Sequence, residues 1–168
     1  MPSIKTKMAY QNTPTNPRGA LKVIPIIHLA LLAGQTLFAI VAYFQARNVR
    51  LDLQNTKDPF FFVAPLMAIG GFIASNIIFK QRLNSLGTAT TARQKVTIYQ
   101  SGLIVRYALL EGPSLFGIVC FMLTGNLFYL IISGLIIVYF LFIRPSKDSI
   151  DTDLNLSFDE KAELEGIQ

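Results

Sequence analysis

The sequence predicts an all-α, polytopic membrane protein, a bundle of four transmembrane helices, and three observations support this fold class. Hydrophobic residues make up 52% of the 168-residue chain and charged residues only 15%, which is less polar surface than a soluble domain of this length needs. The apolar residues are clustered into four long blocks. Lys and Arg are concentrated on alternate connections between those blocks, as expected of a chain that crosses a bilayer several times.

The first segment, residues 1–22, is a basic arm that we expect to be largely disordered up to about Arg18. It contains three prolines and four Lys or Arg residues but no acid. The apolar block that follows is too long and starts too late for a cleaved signal peptide. The formal charge of the chain is +5, but its basic residues lie beside apolar blocks and form no patch of their own. We therefore predict no nucleic-acid partner.

The predicted transmembrane domain, residues 23–143, contains four spans, at about 23–44, 60–79, 98–123 and 127–143. The 22 residues of the first span would rise about 33 Å as a helix, enough to cross a hydrocarbon core of about 30 Å. Pro59 stands where the second span begins. The third span is longer than a bilayer requires, so it is tilted or extends beyond the bilayer. Only residues 124–126 separate the third span from the fourth, which predicts a tight antiparallel hairpin.

The distribution of basic residues predicts the orientation of the chain. Eleven Lys and Arg residues lie on the side that holds both termini and the second connection, and three lie on the other side. By the positive-inside rule, both termini are cytoplasmic. We expect an integral protein of a bacterial inner (plasma) membrane, with the lipid bilayer as its immediate partner.

The last segment, residues 144–168, is an acidic cytoplasmic tail with seven acids and three bases. Ser157 is followed three residues later by Glu160, a capping-box pattern that predicts a short helix over 158–165. Two interpretations of the tail stay open. It is either a solvated tail or a docking peptide whose apolar residues contact a partner, namely Leu154, Leu156, Phe158 and Leu164.

Three ionisable residues lie inside the predicted spans: His28, Arg106 and Glu111. In hydrocarbon such a side chain costs about 2.5–3.5 kcal/mol on insertion scales, so it normally faces protein or water. Glu111 lies deepest, near the mid-plane and at a level similar to Gln35. It is the candidate protonatable or ion-binding residue.

Helical spacing selects the neighbours of Glu111. Arg106 lies about 140° round the helix from Glu111, so we expect Arg106 to act as a cytoplasmic anchor that snorkels to the headgroups. Tyr107 and Ser114 share one helical face with Glu111. His28 and Gln35 share one face of the first span and are the best candidates for its partners. The predicted supporting polar residues are therefore His28, Gln35, Tyr107, Ser114 and Asn76.

The surroundings of Glu111 favour close helix packing. Pro113 predicts a kink that leaves the carbonyl of Leu109 free. Small side chains, which let another helix approach, lie beside the acid and on the second span. They are Ala108, Gly112, Gly70, Gly71, Ala74 and Ser75.

The motifs of common enzymes are absent, so we predict a non-enzymatic protein. The sequence has no GxSxG, no phosphate-binding glycine loop and no HExxH. The single cysteine, Cys120, lies inside an apolar block and can form no internal disulfide. Because no cluster of His, Cys and Asp accompanies it, we predict neither a metal site nor a cofactor.

One stretch, ARQKVTIYQSGLIVRYALLEGPSLFGIVCFML, resembles the second half of a rotor-ring c subunit, the proteolipid of rotary ATP synthases. The resemblance covers about residues 60–123. Arg93 and Gln94 match the polar loop of that family, Lys95 stands where its loop has proline, and Glu111 matches its ion-carrying carboxylate. The resemblance implies reversible protonation of Glu111 at a helix–helix interface.

Two functional hypotheses follow. The first is a small integral membrane protein that acts as a non-enzymatic subunit or accessory component of a membrane assembly, by self-association or with another membrane subunit. In this hypothesis Glu111 is either a hydrogen-bonded strut or a contact to the partner. The alternative is a c-subunit-like protein that handles protons or cations and uses Glu111 as the protonatable group.

Overall fold

A computed structural model describes residues 17–54, 56–89, 91–158 and 160. Within these residues the chain is helical and contains no strand, so the all-α prediction is confirmed. The helices are α1 (Pro17–Gln45), α2 (Phe60–Asn84), α3 (Ala92–Thr124), α4 (Leu127–Phe142) and α5 (Lys147–Leu154), with a 3₁₀ turn at Ser85–Thr88 after α2.

Three helices are long and apolar enough to cross a membrane. They cover Leu21–Gln45, Phe60–Thr88 and Ala92–Thr124. The fourth apolar helix, α4, has 16 residues and is shorter than the other three. These helices indicate an integral membrane protein.

Two helices begin earlier in the chain than the sequence indicated. The structure shows helix from Pro17, so residues 17–22 of the predicted arm are helical, and residues 1–16 lie outside the described part. Proline suits the first turn of a helix because its fixed φ is already helical. α3 begins at Ala92 because the Thr91 hydroxyl accepts a hydrogen bond from the amide of Gln94 at 3.3 Å and caps the helix. The apolar composition predicted the part of α3 that suits lipid, but it did not predict this polar first turn.

α3 packs against α1, α2 and α4. It runs parallel to α1, because ring contacts join His28 to Tyr107 near one end and Tyr43 to Phe121 near the other. We name the end where α1 begins and α4 ends the proximal end, and the opposite end the distal end. Tyr107 is therefore proximal, and Phe121 is distal.

α2 and α4 run antiparallel to α3 and approach it through small residues. A Cβ atom built on Gly71 of α2 would lie 2.5 Å from the carbonyl oxygen of Leu109 and 2.7 Å from Cγ of Pro113. α3 continues as a helix through Pro113. Gly71 thus lets the backbone of α2 cover the part of α3 where proline removes a hydrogen bond. On the α4 side, the Ser133 hydroxyl donates to the carbonyl of Ser114 at 2.8 Å.

The distal connections are joined to each other by hydrogen bonds. Gly125 ends α3 with φ of 69°, a left-handed conformation that favours glycine. The amide of Arg50 donates to the Gly125 carbonyl at 3.0 Å. The Asn126 side chain accepts from the amide of Asp52 at 3.0 Å and donates to its carbonyl at 2.7 Å. The predicted hairpin between α3 and α4 is confirmed, and the α1–α2 connection is fastened to it.

The tail returns to the proximal part of α3. Ile150 and Leu154 of α5 are buried in the same apolar cluster as Val96 and Leu103 of α3. The hydroxyl of Tyr99 donates to Oδ2 of Asp153 at 3.1 Å. This part of the tail is therefore docked on its own chain, because its two apolar side chains lie one helical turn apart on one face of α5.

The segment after α5 is held by an ion pair. Nζ of Lys95 lies 2.7 Å from Oε1 of Glu160, and both side chains are partly buried. Ser157 and Glu160 form the predicted capping box, since each backbone amide donates to the side chain of the other. Phe158 is 94% exposed. Residue 159 and residues 161–168, which include most of the predicted helix and Leu164, lie outside the described residues.

The contact at Gly71 predicts a difference between two adjacent glycines. We expect Gly71→Ala to lower the free energy of unfolding by about 1–3 kcal/mol, because the added methyl group overlaps the backbone of α3. A Cβ atom on Gly70 meets nothing within 4 Å, so Gly70→Ala should be neutral or should stabilise by up to about 1 kcal/mol through helix propensity. Unfolding in mixed detergent micelles measures both variants, and equal effects would contradict this packing.

The ion pair predicts that the end of the tail detaches in acid. The hydrogen bond from Lys95 holds the pKa of Glu160 below its ordinary value near 4.5. The pair therefore contributes fully above that ordinary value, and its contribution is lost as the pH falls through the lowered pKa. Spin labels on the exposed residues Thr97 and Phe158, with Cys120 replaced by alanine, should move apart between pH 7 and pH 3.

Lys95→Gln removes the ion pair, and a substitution of the neighbouring basic residue Arg93 is the matched control. Lys95→Gln should give the longer separation at both pH values. Arg93 is exposed on the first turn of α3, so Arg93→Gln should behave like the wild-type chain. A distance that does not change with pH in the wild type would show that the Lys95–Glu160 pair does not hold the tail.

Candidate functional site

Glu111 lies half-buried on α3, on the border between the face that contacts α1 and the outer face. Its carboxyl group makes no hydrogen bond or ion pair with any other residue that the structure describes. The predicted partners on α1, His28 and Gln35, do not bond to it. Glu111 is therefore an ionisable group inside an apolar span without a partner among these residues.

His28 has a different partner from the one predicted. Its Nε2 donates to the carbonyl oxygen of Phe140 at 2.8 Å. That carbonyl belongs to the last turn of α4, where backbone acceptors have no partner within the helix. The imidazole also stacks on the Phe140 ring at 4.8 Å and meets the edge of the Tyr107 ring at 5.2 Å. His28 was a candidate partner of Glu111, and in the structure it bonds to the end of α4 instead.

Four buried polar atoms lie along the α1–α3 contact without hydrogen-bond partners in the described part of the chain. They are Nε2 and Oε1 of Gln35, the hydroxyl of Tyr107 and Oγ of Ser114. His28 is level with Tyr107, and the helices are parallel. Gln35 and Ser114, each seven residues further on, therefore lie at one level, about two turns towards the distal end. Four of the five predicted polar neighbours are thus aligned along one seam, which borders Glu111; they are His28, Gln35, Tyr107 and Ser114.

Arg106 lies on another side of α3 and has its own set of contacts. Its Nη2 donates to Oδ1 of Asn76 at 3.0 Å and to the hydroxyl of Tyr139 at 3.0 Å. The Tyr139 hydroxyl in turn donates to Oδ1 of Asn76 at 2.9 Å. The guanidinium carbon lies 4.6 Å from the centre of the Phe79 ring.

These contacts bear on two predictions. Asn76 was expected beside Glu111, but α2 packs on the face of α3 that carries Arg106, about 140° from Glu111. Arg106 was expected to act as a cytoplasmic anchor that snorkels to the headgroups; its guanidinium contacts α2 and α4, and the anchoring role stays a prediction. Tyr139 and Phe79 were not predicted as part of any site. Nothing in the sequence distinguishes them from other aromatic residues near the ends of apolar helices.

The predicted small residues divide into an inner and an outer group. Gly71 and Ser75 lie against α3 inside the chain, whereas Ala74 is half-buried. On α3 itself, Ala108 and Gly112 are exposed and flank Glu111. Gly70 is exposed as well. The two small residues of α3 and the carboxyl group together form an open notch, which we call the Glu111 notch (Ala108, Glu111 and Gly112).

No family model, curated protein or solved structure matches this chain. Within the described residues, no three His, Cys, Asp or Glu side chains are grouped in a way that could hold a metal ion. The function therefore has to be inferred from the polar groups within the apolar helices.

Proposed function

We propose that this protein is a non-enzymatic subunit or accessory component of a membrane assembly, and that the Glu111 notch is its contact with another transmembrane helix. The observation that carries the proposal is the half-buried Glu111 carboxyl without a partner among the described residues. A carboxyl group in hydrocarbon costs several kcal/mol unless another group satisfies it. A donor on a neighbouring subunit would remove that cost.

The shape of the notch supports the same proposal. Ala108 and Gly112 are four residues apart and share one helical face, the small-xxx-small spacing that lets two membrane helices approach closely. A Cβ atom on Gly112 would meet nothing within 4 Å in this chain. The approach is therefore open to a helix from a second copy or from another membrane subunit.

The proposed assembly component has four spans and two cytoplasmic termini. α4 is apolar throughout its 16 residues, and a thinned bilayer or a modest mismatch accommodates such a length. The excess of Lys and Arg on the proximal side, eleven against three, supports the orientation. A bacterial inner membrane fits this arrangement.

A second candidate function is proton or cation handling by Glu111. The observation that favours it is the seam of unpartnered buried atoms from Gln35, Tyr107 and Ser114 beside the carboxyl group. Such groups are able to hydrogen-bond a water molecule or an ion that reaches Glu111. The resemblance of the surrounding stretch to rotor-ring c subunits points in the same direction.

The assembly proposal predicts a position-specific loss of association. Gly112→Leu should reduce by at least about tenfold the fraction of the protein that is isolated in its assembly after mild detergent extraction, because the added side chain fills the notch. The control Gly70→Leu adds the same side chain at an open site on α2 and should leave that fraction unchanged. An equal fraction in both variants and the wild type would overturn the proposal.

A substitution of the acid separates the two candidate functions. Glu111→Gln keeps the size and the hydrogen-bonding capacity of the side chain but cannot ionise. If the assembly forms in full and a proton-linked activity of reconstituted vesicles is lost, the ion-handling function is supported. If the assembly itself weakens, Glu111 acts as a contact to the partner.

A further inference from the structure

An apolar groove lies between α2 and α4 on a side of the protein away from the Glu111 notch. Its volume is about 450 Å³, and its lining includes Phe72, Leu110, Phe128, Leu135 and Tyr139. Phe128 and Tyr139 are eleven residues apart on α4, which corresponds to about 16 Å along the helix. The groove is therefore long enough to hold much of one extended acyl chain.

Tyr139 connects the proximal end of the groove to Arg106. The tyrosine ring lines the groove, while its hydroxyl accepts from Nη2 of Arg106 at 3.0 Å. Asn76 and the Phe79 ring hold the guanidinium from the other sides. The end of the groove therefore carries a fixed positive charge.

That charge has no counter-ion in the helices that surround it. Among the described residues no carboxylate pairs with Arg106. α4 contains no charged residue, and the only charged residues of α2 are Lys80 and Arg82. The protein partners of the guanidinium are the neutral oxygens of Asn76 and Tyr139. A partly buried cation held only by neutral acceptors is stabilised further by an anion, and guanidinium groups bind phosphate well.

We infer that the α2–α4 groove binds one anionic phospholipid, with its phosphate near Arg106 and an acyl chain along the groove from Tyr139 towards Phe128. The charge selects the headgroup, and the apolar lining accommodates the chain. Arg106 lies about four residues beyond the point, near Gly102, where α3 becomes continuously apolar. Its backbone therefore lies about 6 Å inside the hydrocarbon region, and its long side chain, which leans towards the proximal end over Phe79, brings the guanidinium towards the phosphate and glycerol region of that leaflet.

Native mass spectrometry of the full chain in mild detergent tests this site. Two lipids with identical dioleoyl chains are added, phosphatidylglycerol as the anionic lipid and phosphatidylcholine as the zwitterionic one. The wild type should bind one phosphatidylglycerol at least about tenfold more tightly, as expected for a charge-assisted contact. Arg106→Gln should bring the ratio close to one, whereas Arg82→Gln, which removes a basic residue outside the groove, should retain it.

A second pair of variants tests the groove itself and does not depend on the folding of an Arg106 variant. Leu135 lines the groove and is 67% exposed, so Leu135→Trp should weaken the binding of both lipids. Leu141 is also exposed but lies outside the groove lining, so Leu141→Trp should bind both normally. Equal affinity of the wild type for the two lipids would overturn the inference. So would binding of glycerol 3-phosphate as tight as that of the lipid, or a dimer that Leu135→Trp dissociates.

Discussion

In hydrocarbon a polar side chain needs a partner on a neighbouring helix, and this constraint explains the contacts that the polar residues of α3 make. The apolar part of α3 carries Arg106 and Glu111, and α3 makes the most extensive contacts with the other membrane helices. Nη2 of Arg106 donates to side chains from α2 and α4, and the histidine of α1 donates to a carbonyl at the end of α4. The Glu111 carboxyl has no partner among the described residues. The two ionisable residues in the apolar part of α3 therefore differ, because Arg106 has neutral hydrogen-bond partners and Glu111 has none.

The distal and proximal ends of the protein are held by different interactions. At the distal end, the side-chain amide of Asn126 and the carbonyl of Gly125 join the two connections by hydrogen bonds between uncharged groups, which do not respond to pH near neutrality. At the proximal end, the tail is held by apolar contacts of α5 and by the Lys95–Glu160 pair, which depends on charge.

The fold class, the order of the helices and the α3–α4 hairpin were predictable, because they follow from the length of apolar blocks and from one short turn. The partners of the polar residues were not. His28 bonds to a backbone carbonyl whose availability depends on where α4 ends, and no side chain in the sequence marks that carbonyl. Asn76 lies beside Arg106 because of the rotation of α2 about its axis, which Gly71 sets by its close contact with Leu109 and Pro113. Helical spacing shows which residues of one helix share a face. It does not show which neighbouring helix that face contacts, because this depends on how the helices pack.

The central proposal is that a group on another subunit contacts the Glu111 carboxyl and supplies the partner that the described residues do not. The most direct test is carbodiimide labelling of Glu111, read by mass spectrometry at one pH, in native membranes and in the purified monomer in lipid nanodiscs. We expect strong labelling in the monomer, where the notch is open, and weak labelling in native membranes, where a partner helix covers the carboxyl group. Equal labelling in the two preparations would contradict the account, because it would mean that no partner contacts Glu111 in its native membrane.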